Sequence, residues 1–206
     1  MSSEAARSGL LIDWGGVLTT NLFTSFREYC DSLGLESDAL AAAFRRNPDA
    51  REMLIALEVG ELSEQEFEQR FAALLGVAPE GLIDGLFAGV HADEAMLRAV
   101  RLARLAGVRT ALVSNSWGVH RYPSESFAEL FDGVVISGQE GFRKPDVRMY
   151  TLGAERAGVS ESDCVYVDDL AFNLEPAAQL GMATVHHTEA AASIPQLERL
   201  LGVALS

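Results

Sequence analysis

The chain has 206 residues, of which 49% are hydrophobic and 22% are charged, as in an ordinary globular protein with a sizeable core. Its formal net charge is −14 at pH 7, and its 16 Lys and Arg residues form no cluster. These features argue against nucleic acid and against an anionic membrane surface as partners. We therefore expect one domain, with room for an inserted subdomain, and we expect any anionic substrate to meet locally placed positive charge.

The sequence carries no sign of export. The segment MSSEAARSG at its start has neither a basic region nor a long apolar stretch, so we expect no signal peptide. No apolar run approaches the roughly 20 residues that span a bilayer. Cys30 and Cys164 are isolated in the sequence, which is typical of reduced thiols that pack in a core. We expect a soluble, cytoplasmic protein, either a monomer or a homo-oligomer.

Five short apolar runs predict buried strands. They read as continuous rather than alternating, which is typical of a parallel sheet covered on both faces. The runs are residues 10–14, 110–114, 134–137, 164–168 and 182–186.

Helical patterns lie between the later runs, at residues 98–105, 147–157 and 174–180. Each is followed by a glycine suited to a left-handed helix end, namely Gly107, Gly158 and Gly181. The repeated order of helix, glycine and strand predicts an α/β fold with a Rossmann-like, doubly wound parallel sheet.

Residues 21–90 interrupt this alternation, because they contain helical patterns and no convincing strand. Phe67 and Phe71 belong to one apolar helix face, and Ser63 with Glu66 forms a capping box at the start of that helix. We therefore expect a Rossmann-like core of residues 1–20 and 91–206 and a helical insertion of residues 21–90.

Polar residues follow several of the strands at their carboxyl ends, where open α/β sheets bind ligands. Any one of them also fits a purely structural role as a turn residue, a helix cap or a surface charge. Their occurrence together, in order, predicts a functional site. They are Asp13 at the end of the first run, with Gly15 and Gly16 directly after it, Ser114 and Asn115 at the second, Lys144 after the third, and Asp168 and Asp169 at the fourth.

The acidic members of this set suit metal-assisted chemistry. Asp13, Asp168 and Asp169 offer the hard oxygen ligands that Mg²⁺ favours. A free carboxylate can also attack phosphorus in line and form an aspartyl-phosphate. We expect Asp13 to be this nucleophile.

The remaining members suit an anionic ligand. The Lys144 ammonium and the Ser114 hydroxyl, with the adjacent Asn115, are placed to hold phosphoryl oxygens and to stabilise their charge. Gly15 and Gly16 permit a sharp turn that brings backbone N–H groups near an anion.

Other residues near these segments carry weaker signals. Arg143 directly precedes Lys144 and is well placed to add positive charge to the site. His120 follows the second run closely, although a solvated histidine is the commoner case. Trp14 and Trp117 either wall a pocket or, more commonly for this residue type, pack between helix and sheet.

Four ordered segments resemble the motifs of the haloacid dehalogenase superfamily. They are residues 13–18 (DWGGVL), 113–115 (VSN), 143–145 (RKP) and 167–169 (VDD), and the resemblance extends from residue 10 to about residue 185. The helical insertion is similar to that family's small α-helical cap. Within it, residues 58–63 (EVGELS) resemble a segment of sugar-phosphate phosphatases, including glucose-1-phosphate phosphatases.

The resemblance implies a Mg²⁺-dependent hydrolase of a small phosphomonoester, such as a sugar phosphate, that works through an aspartyl-phosphate. It implies that Asp13 is both nucleophile and metal ligand, that Ser114 and Lys144 bind phosphate, and that Asp169 is a direct metal ligand with Asp168 close by. The backbone carbonyl of Gly15 is implied as a further ligand.

One position departs from the family pattern. Phosphatases of this family usually carry a second Asp two residues after the nucleophile, where it transfers a proton, and this chain has Gly15 there. General acid/base catalysis contributes about 10²- to 10⁴-fold, so its loss slows poor leaving groups most. The sugar-phosphate subgroup tolerates glycine at this position. We expect a preference for good leaving groups, such as anomeric sugar phosphates or aryl phosphates.

Three alternatives bear on function. A 2-haloacid dehalogenase needs neither a metal nor the second Asp, but the pair of Asp168 and Asp169 has no obvious use in displacing halide. A degenerate member that binds a phosphorylated ligand without turnover is kept open by Gly15. A phospho-accepting receiver domain is disfavoured, because it has no place for a helical insertion of about 70 residues.

Overall fold

The structure, a computed structural model, describes residues 6–206. The first part of the segment that argues against a signal peptide, residues 1–5, lies outside the described residues. The strands are β1 (Gly9–Ile12), β2 (Arg109–Ser114), β3 (Gly133–Ile136), β4 (Cys164–Asp168) and β5 (Ala183–His186). Short 3₁₀ turns occupy Val119–Arg121, Ser124–Ser126 and Glu161–Asp163.

Eleven α-helices accompany these strands in the described part of the chain. They are α1 (Leu22–Ser32), α2 (Ala39–Arg46), α3 (Pro48–Glu58), α4 (Glu64–Leu75), α5 (Leu82–Phe87), α6 (Glu94–Leu105), α7 (Phe127–Leu130), α8 (Ser137–Glu140), α9 (Val147–Ala157), α10 (Ala171–Gln179) and α11 (Ala190–Leu201). Among these residues, no helix combines the length and the apolar character that crossing a membrane requires.

The five strands form one parallel sheet in the order β3-β2-β1-β4-β5. The central strand β1 is buried along its whole length, and its side chains alternate between two apolar clusters. Leu10 and Ile12 pack with α6 and α11 on one face, and Leu11 packs with α9 and α10 on the other. A strand covered on both faces explains the continuous apolar pattern, and the predicted doubly wound α/β fold is confirmed.

Two strand ends differ from the sequence prediction in ways that matter for the site. The first run was expected to extend to residue 14, but β1 ends at Ile12, and Asp13 and Trp14 begin the turn that follows. Asp13 is still anchored to the sheet, because its N–H donates to the carbonyl of Val167 at 3.0 Å. Ser137, expected in the third strand, instead begins α8.

Helices α1 to α5 pack around an apolar cluster of their own, built on side chains such as Phe26, Phe67, Phe71 and Leu86. The predicted capping box is confirmed at the start of α4, where Ser63 and Glu66 exchange side-chain and backbone hydrogen bonds. This group of helices follows β1 in the chain and lies above the carboxyl ends of the strands, since side chains from both line one cavity.

Several contacts fix the helical insertion to the sheet. Thr19 and Ala92 pair as an isolated bridge where the chain leaves and re-enters the sheet region. Trp117, from the loop after β2, packs against Phe26 and Phe67 with ring centroids 5.4 and 5.7 Å away. Arg121, in the same loop, pairs with Glu64 and with Asp84, each at 2.7 Å.

Candidate active site

Asp13 lies at the centre of the sheet edge, directly after β1, and is 7% exposed. Its Oδ1 accepts a hydrogen bond from the Trp14 N–H at 2.7 Å and lies 2.9 Å from the Nζ of Lys144. No hydrogen-bond donor of the described residues contacts the other oxygen, Oδ2. One carboxylate oxygen is therefore fixed in place while the second remains available for chemistry.

Lys144 is buried, with 1% of its surface exposed, and its ammonium bridges two carboxylates. Its Nζ lies 2.9 Å from Asp13 Oδ1 and 2.7 Å from Asp168 Oδ2. Burial alone lowers the pKa of a lysine, but the charges of Asp13 and Asp168 outweigh burial and raise the pKa of Lys144 above its ordinary value. The ammonium therefore stays protonated at neutral pH.

Asn115 orients Lys144 through the main chain. The Lys144 N–H donates to Asn115 Oδ1 at 2.8 Å, and Asn115 Nδ2 donates to the Lys144 carbonyl at 3.2 Å. This reciprocal pair fixes the loop after α8 to the end of β2. The Asn115 amide, predicted to bind substrate, thus has its side-chain groups engaged by Lys144.

Asp168 is fully buried and hydrogen-bonded from several sides. The Tyr166 hydroxyl and the Lys144 ammonium donate to its Oδ2, and the Leu170 N–H donates to Oδ1 at 2.9 Å. Asn173 Nδ2, on α10, contacts both oxygens. Because so many donors fix its position, Asp168 holds the Lys144 ammonium in place and is also a member of the acidic cluster.

Asp13, Asp168 and Asp169 form one cluster, in which one carboxylate oxygen of each lies within 4.8 Å of the others. Burial, and then the charges of Asp13 and Asp168, raise the pKa of Asp169 to about 7. Burial is also the main cause that raises the pKa of Asp13 to about 6, against the opposing effect of Lys144. Three carboxylates therefore share one neighbouring ammonium, which leaves excess negative charge at a buried site.

Gly16 allows Asp169 to approach the cluster. Its φ is +75°, and an added Cβ would lie 2.6 Å from Asp169 Oδ2. The Gly16 N–H, predicted to face an anion, instead donates to Thr19 Oγ1 at 3.0 Å. Glycine is required at this position because a side chain would clash with Asp169, and not because its N–H group is free to bind an anion.

Ser114 ends β2 beside this cluster and is 2% exposed. The Tyr122 hydroxyl donates to Ser114 Oγ at 3.0 Å, and burial raises the pKa of Tyr122 well above its ordinary value. Tyr122 therefore remains a neutral phenol that fixes the orientation of the Ser114 hydroxyl.

A cavity of about 560 Å³ opens from the carboxylate cluster into the helical insertion. Asp13, Ser114, Lys144 and Asp169 contribute to its lining on the sheet side. Aromatic and aliphatic side chains dominate the part formed by the helices and the loop after β2, including Leu22, Phe26, Leu40, Phe44, Leu54 and Trp117. Such a cavity suits a ligand with one anionic end and an apolar body.

Glu58 and Arg143 meet at the wall of this cavity. Glu58 ends α3 and is 5% exposed, and its Oε2 lies 2.6 Å from Arg143 Nε. Ser137 Oγ donates to the Glu58 carbonyl at 2.5 Å, which fixes the end of α3 to the start of α8. Burial raises the pKa of Glu58 to about 7, against the lowering effect of Arg143 and Lys144.

Gly15 lies at the cavity, beside the cluster, with Leu22 next to it. An added Cβ at Gly15 would lie 2.8 Å from Leu22 Cδ1. His120 is 73% exposed in its side chain and pairs with Glu64, so it does not reach the cluster. Trp14 packs in the core against Tyr122 and does not line this cavity.

The sequence predicts most of the residues of this cluster but not the side chains that hold them in place. Tyr166 falls within a predicted apolar strand, and Asn173 directly precedes the predicted helical pattern of residues 174–180. The spacing of Asn173 five residues after Asp168 on a following helix is a signal that could have found it. Glu58 was noticed only within a segment of family resemblance, and no local pattern predicts that its carboxyl is buried beside Arg143.

Comparison with known proteins assigns the chain to a family. A family model described as haloacid dehalogenase-like hydrolase matches residues 8–181. Acyl-CoA dehydrogenase family member 10 from Mus musculus is 29% identical over 208 residues, which cover 95% of this chain and 19% of that protein. A sesquiterpene phosphatase from Aspergillus oryzae is 35% identical over 74 residues, which cover 36% of this chain and 38% of that protein.

Solved structures share the fold. A haloacid dehalogenase family enzyme from Bacteroides thetaiotaomicron, solved as an alanine variant with magnesium and inorganic phosphate, has a TM-score of 0.67 at 20% identity and covers 89% of this chain and 95% of its own. A dehalogenase structure has a TM-score of 0.67 at 18% identity, with 98% and 99% covered. The chain spans about a fifth of the length of its relative from Mus musculus. Because the family model extends from β1 past α10, the chain belongs to the haloacid dehalogenase-like hydrolases.

Proposed function

We propose that this chain is a Mg²⁺-dependent phosphatase that hydrolyses a small phosphomonoester through an aspartyl-phosphate on Asp13. One observation carries the proposal. The Asp13 carboxylate, with one oxygen fixed and the other uncontacted, lies in a cluster with Asp168, Asp169 and the buried Lys144. A carboxylate nucleophile, a metal-binding acidic group and a fixed ammonium are the parts that this reaction needs.

The donor set fits a hard divalent cation. Three carboxylates offer oxygen atoms within 4.8 Å of one another, and among the described residues one ammonium, that of Lys144, offsets their charge. Asp13 and Asp169 would hold the ion, with Asp168 beside them and the Gly15 carbonyl as a further donor. A bound Mg²⁺ would neutralise charge on the phosphoryl oxygens.

The chain's own residues account for the other requirements. The Trp14 N–H and the Lys144 ammonium hold Asp13 Oδ1, so Oδ2 is the oxygen placed to attack phosphorus. Lys144 and the Ser114 hydroxyl, which Tyr122 orients, would hold the phosphoryl oxygens. A buried ammonium and a pre-oriented hydroxyl stabilise the charge of the transition state without reorganising during the reaction.

The leaving group is either a sugar, as the resemblance of residues 58–63 implies, or an apolar alcohol. We favour the apolar alcohol, because Leu22, Phe26, Phe44 and Trp117 line the cavity and cannot donate the many hydrogen bonds that a sugar requires. The partial match to a sesquiterpene phosphatase supports the same choice. The helices α1 to α5 would then act as the cap that encloses this group.

A 2-haloacid dehalogenase is the rival hydrolase. The acidic cluster disfavours this activity, because the carboxylates close to Asp13 repel an anionic haloacid. A third carboxylate also has no use in displacing halide. A member that only binds its ligand is the second rival, and it predicts ligand-dependent stabilisation without turnover.

The test is phosphate release from p-nitrophenyl phosphate and from a terpenyl phosphate, with Mg²⁺ or with a chelator, beside chloride release from chloroacetate. We expect phosphate release that the chelator abolishes, no chloride release, and no turnover by Asp13→Asn. Chelator-resistant chloride release would establish the dehalogenase instead. Absence of turnover on a broad phosphomonoester panel, with a ligand-dependent rise in Tm, would establish the binding-only protein.

A further inference from the structure

The site contains no general acid at the position where related phosphatases carry one. Gly15 has no side chain, and a Cβ there would lie 2.8 Å from Leu22 Cδ1, so the insertion fills the space in which an aspartate would begin. Hydrolysis of an unactivated alkyl phosphate still requires a proton for the leaving oxygen, since an alkoxide is a poor leaving group. The proton must therefore come from another group at the cavity.

Few groups that line the cavity can supply it. Apart from the acidic cluster, the described carboxyl side chains on the cavity are Asp38 and Glu58. Asp38 is 61% exposed in its side chain and pairs with Arg45 at 3.1 Å, as an ordinary surface carboxylate does. The Tyr122 hydroxyl already donates its proton to Ser114. Glu58 is thus the buried carboxyl group that remains.

Glu58 is placed with the rigidity that proton transfer requires. Its carbonyl accepts from Ser137 Oγ, and an added Cβ at Gly60, whose φ is +78°, would lie 2.8 Å from the carbonyl of Gly138. The end of α3 therefore rests directly on α8, at a junction of the insertion and the sheet region. This contact fixes the backbone of Glu58 on the cavity wall near Lys144 and Asp13.

The Glu58 carboxyl has unused hydrogen-bonding capacity. Oε2 lies 2.6 Å from Arg143 Nε, but the N–H is not directed at it, so neither of these two buried atoms has a hydrogen-bond partner among the described residues. Buried polar atoms are rarely left without partners in a folded protein. Both atoms are closed to solvent, and no described donor bonds to Oε1, so Oε1 is the carboxyl oxygen left to exchange a proton with a ligand in the cavity.

The charges around Glu58 set its protonation. Burial favours the neutral acid, the cations Arg143 and Lys144 favour the carboxylate, and the anion Asp13 again favours the acid, with the result that the pKa rises to about 7. A carboxyl group that titrates near neutrality is present in both forms, as a group that first donates and then accepts a proton must be.

We propose that Glu58 is the general acid and base of this site. The inference rests on the proposed phosphatase function. In the first step the Asp13 Oδ2–P bond forms, the bond from phosphorus to the leaving oxygen breaks, and the Glu58 carboxyl gives its proton to that oxygen. In the second step water attacks phosphorus, the Asp13–P bond breaks, and the Glu58 carboxylate takes the proton of the water. Phosphate leaves, and both carboxyl groups return to their starting forms.

The experiment compares Glu58→Gln with the wild type on p-nitrophenyl phosphate, whose leaving group needs no proton, and on 2-phenylethyl phosphate, whose leaving group does. For the alkyl ester we expect kcat to fall about 10²-fold or more. For the aryl ester we expect a first-turnover burst of p-nitrophenol at the wild-type rate, followed by slow turnover, because only the second step then lacks its base.

Two controls separate catalysis from structure. Glu61→Gln removes the same charge from an exposed residue three positions later and should leave both reactions unchanged. Arg143→Gln tests whether Glu58 only positions its neighbour. If so, Glu58→Gln and Arg143→Gln would both raise KM by similar factors for the two esters and would leave the burst and the leaving-group dependence unchanged, which overturns the proposal.

The outcomes are distinct. Equal losses on both esters, or no loss, reject the role of Glu58 while the phosphatase function stands. A wild type without phosphate release rejects the proposed function itself. If Glu58→Gln does not fold, the wild-type pH profile for the alkyl ester decides the question. We expect kcat/KM to fall as the pH rises and the acid loses its proton, and Glu58→Asp to shift that limb; an unshifted limb overturns the proposal.

Discussion

Lys144 offers the sharpest test of how the site is held together. Its side chain is 1% exposed, and its ammonium lies 2.9 Å from Asp13 and 2.7 Å from Asp168. Lys144→Met keeps a side chain of similar length but leaves two buried carboxylates without their cation. Removal of one partner from a buried ion pair typically costs about 3–5 kcal/mol, a large part of the roughly 5–15 kcal/mol that stabilises a domain.

The assay is urea unfolding at neutral pH in the presence of a chelator, so that no bound cation replaces the lost charge. We expect the free energy of unfolding to fall by about 3–5 kcal/mol. Arg45→Met is the matched control, because Arg45 pairs with Asp38 on the surface, where both side chains are more than 60% exposed. Its loss should stay below about 1 kcal/mol.

A double variant checks the cause. In Lys144→Met with Asp168→Asn, one of the two unpaired buried charges is also removed, so the loss should be smaller than the sum of the two single losses. A Lys144→Met protein within about 1 kcal/mol of wild type, or strictly additive losses, would refute the reasoning that this buried pair is coupled.

Three further predictions concern the metal, the proton and the substrate. Gly16→Ala places a Cβ against Asp169 at positive φ, so calorimetry should show weaker Mg²⁺ binding, and unchanged affinity would contradict this packing. Because burial raises the pKa of Glu58 from 4.5 to about 7, its contribution to stability is full below pH 4.5 and is lost as the pH rises to 7. In metal-free protein the free energy of unfolding of the wild type should therefore fall by about 3 kcal/mol relative to Glu58→Gln between pH 4.5 and 7, at about 1.4 kcal/mol per pH unit. A difference between the two proteins that stays constant with pH would contradict the raised pKa of Glu58. Phe44→Ala enlarges the apolar wall, so steady-state kinetics should show KM rising for terpenyl phosphate but not for a short-chain phosphate; equal changes would argue against an apolar substrate.

The sequence predicts the fold well because local chemistry and the fold agree. The apolar runs are buried on both faces of the sheet, and Gly107, Gly158 and Gly181 all adopt positive φ after helices. The polar residues Asp13, Ser114 and Asp168 converge because parallel strands end at a common edge. Spacing along the chain is sufficient to predict this convergence.

The parts that the sequence could not predict depend on contacts between distant elements. Glu58 meets Arg143 only because the end of α3 rests on α8, and no periodicity records that junction. The sequence predicts that the Gly16 N–H faces an anion, but this N–H donates a hydrogen bond to Thr19 Oγ1 within the same turn. Sequence spacing indicates which backbone groups lie near a site, but not which of them a neighbouring hydroxyl already binds.

The central claim is that Asp13 becomes phosphorylated during turnover. Its most direct test is to mix the Mg²⁺-loaded protein with p-nitrophenyl phosphate, quench in acid within the first turnover, and map the mass of the peptides. The account predicts one added phosphoryl group on the peptide that carries Asp13, and none in Asp13→Asn. Phosphate release by the wild type with no phosphorylated peptide, or with the group on another residue, would contradict it.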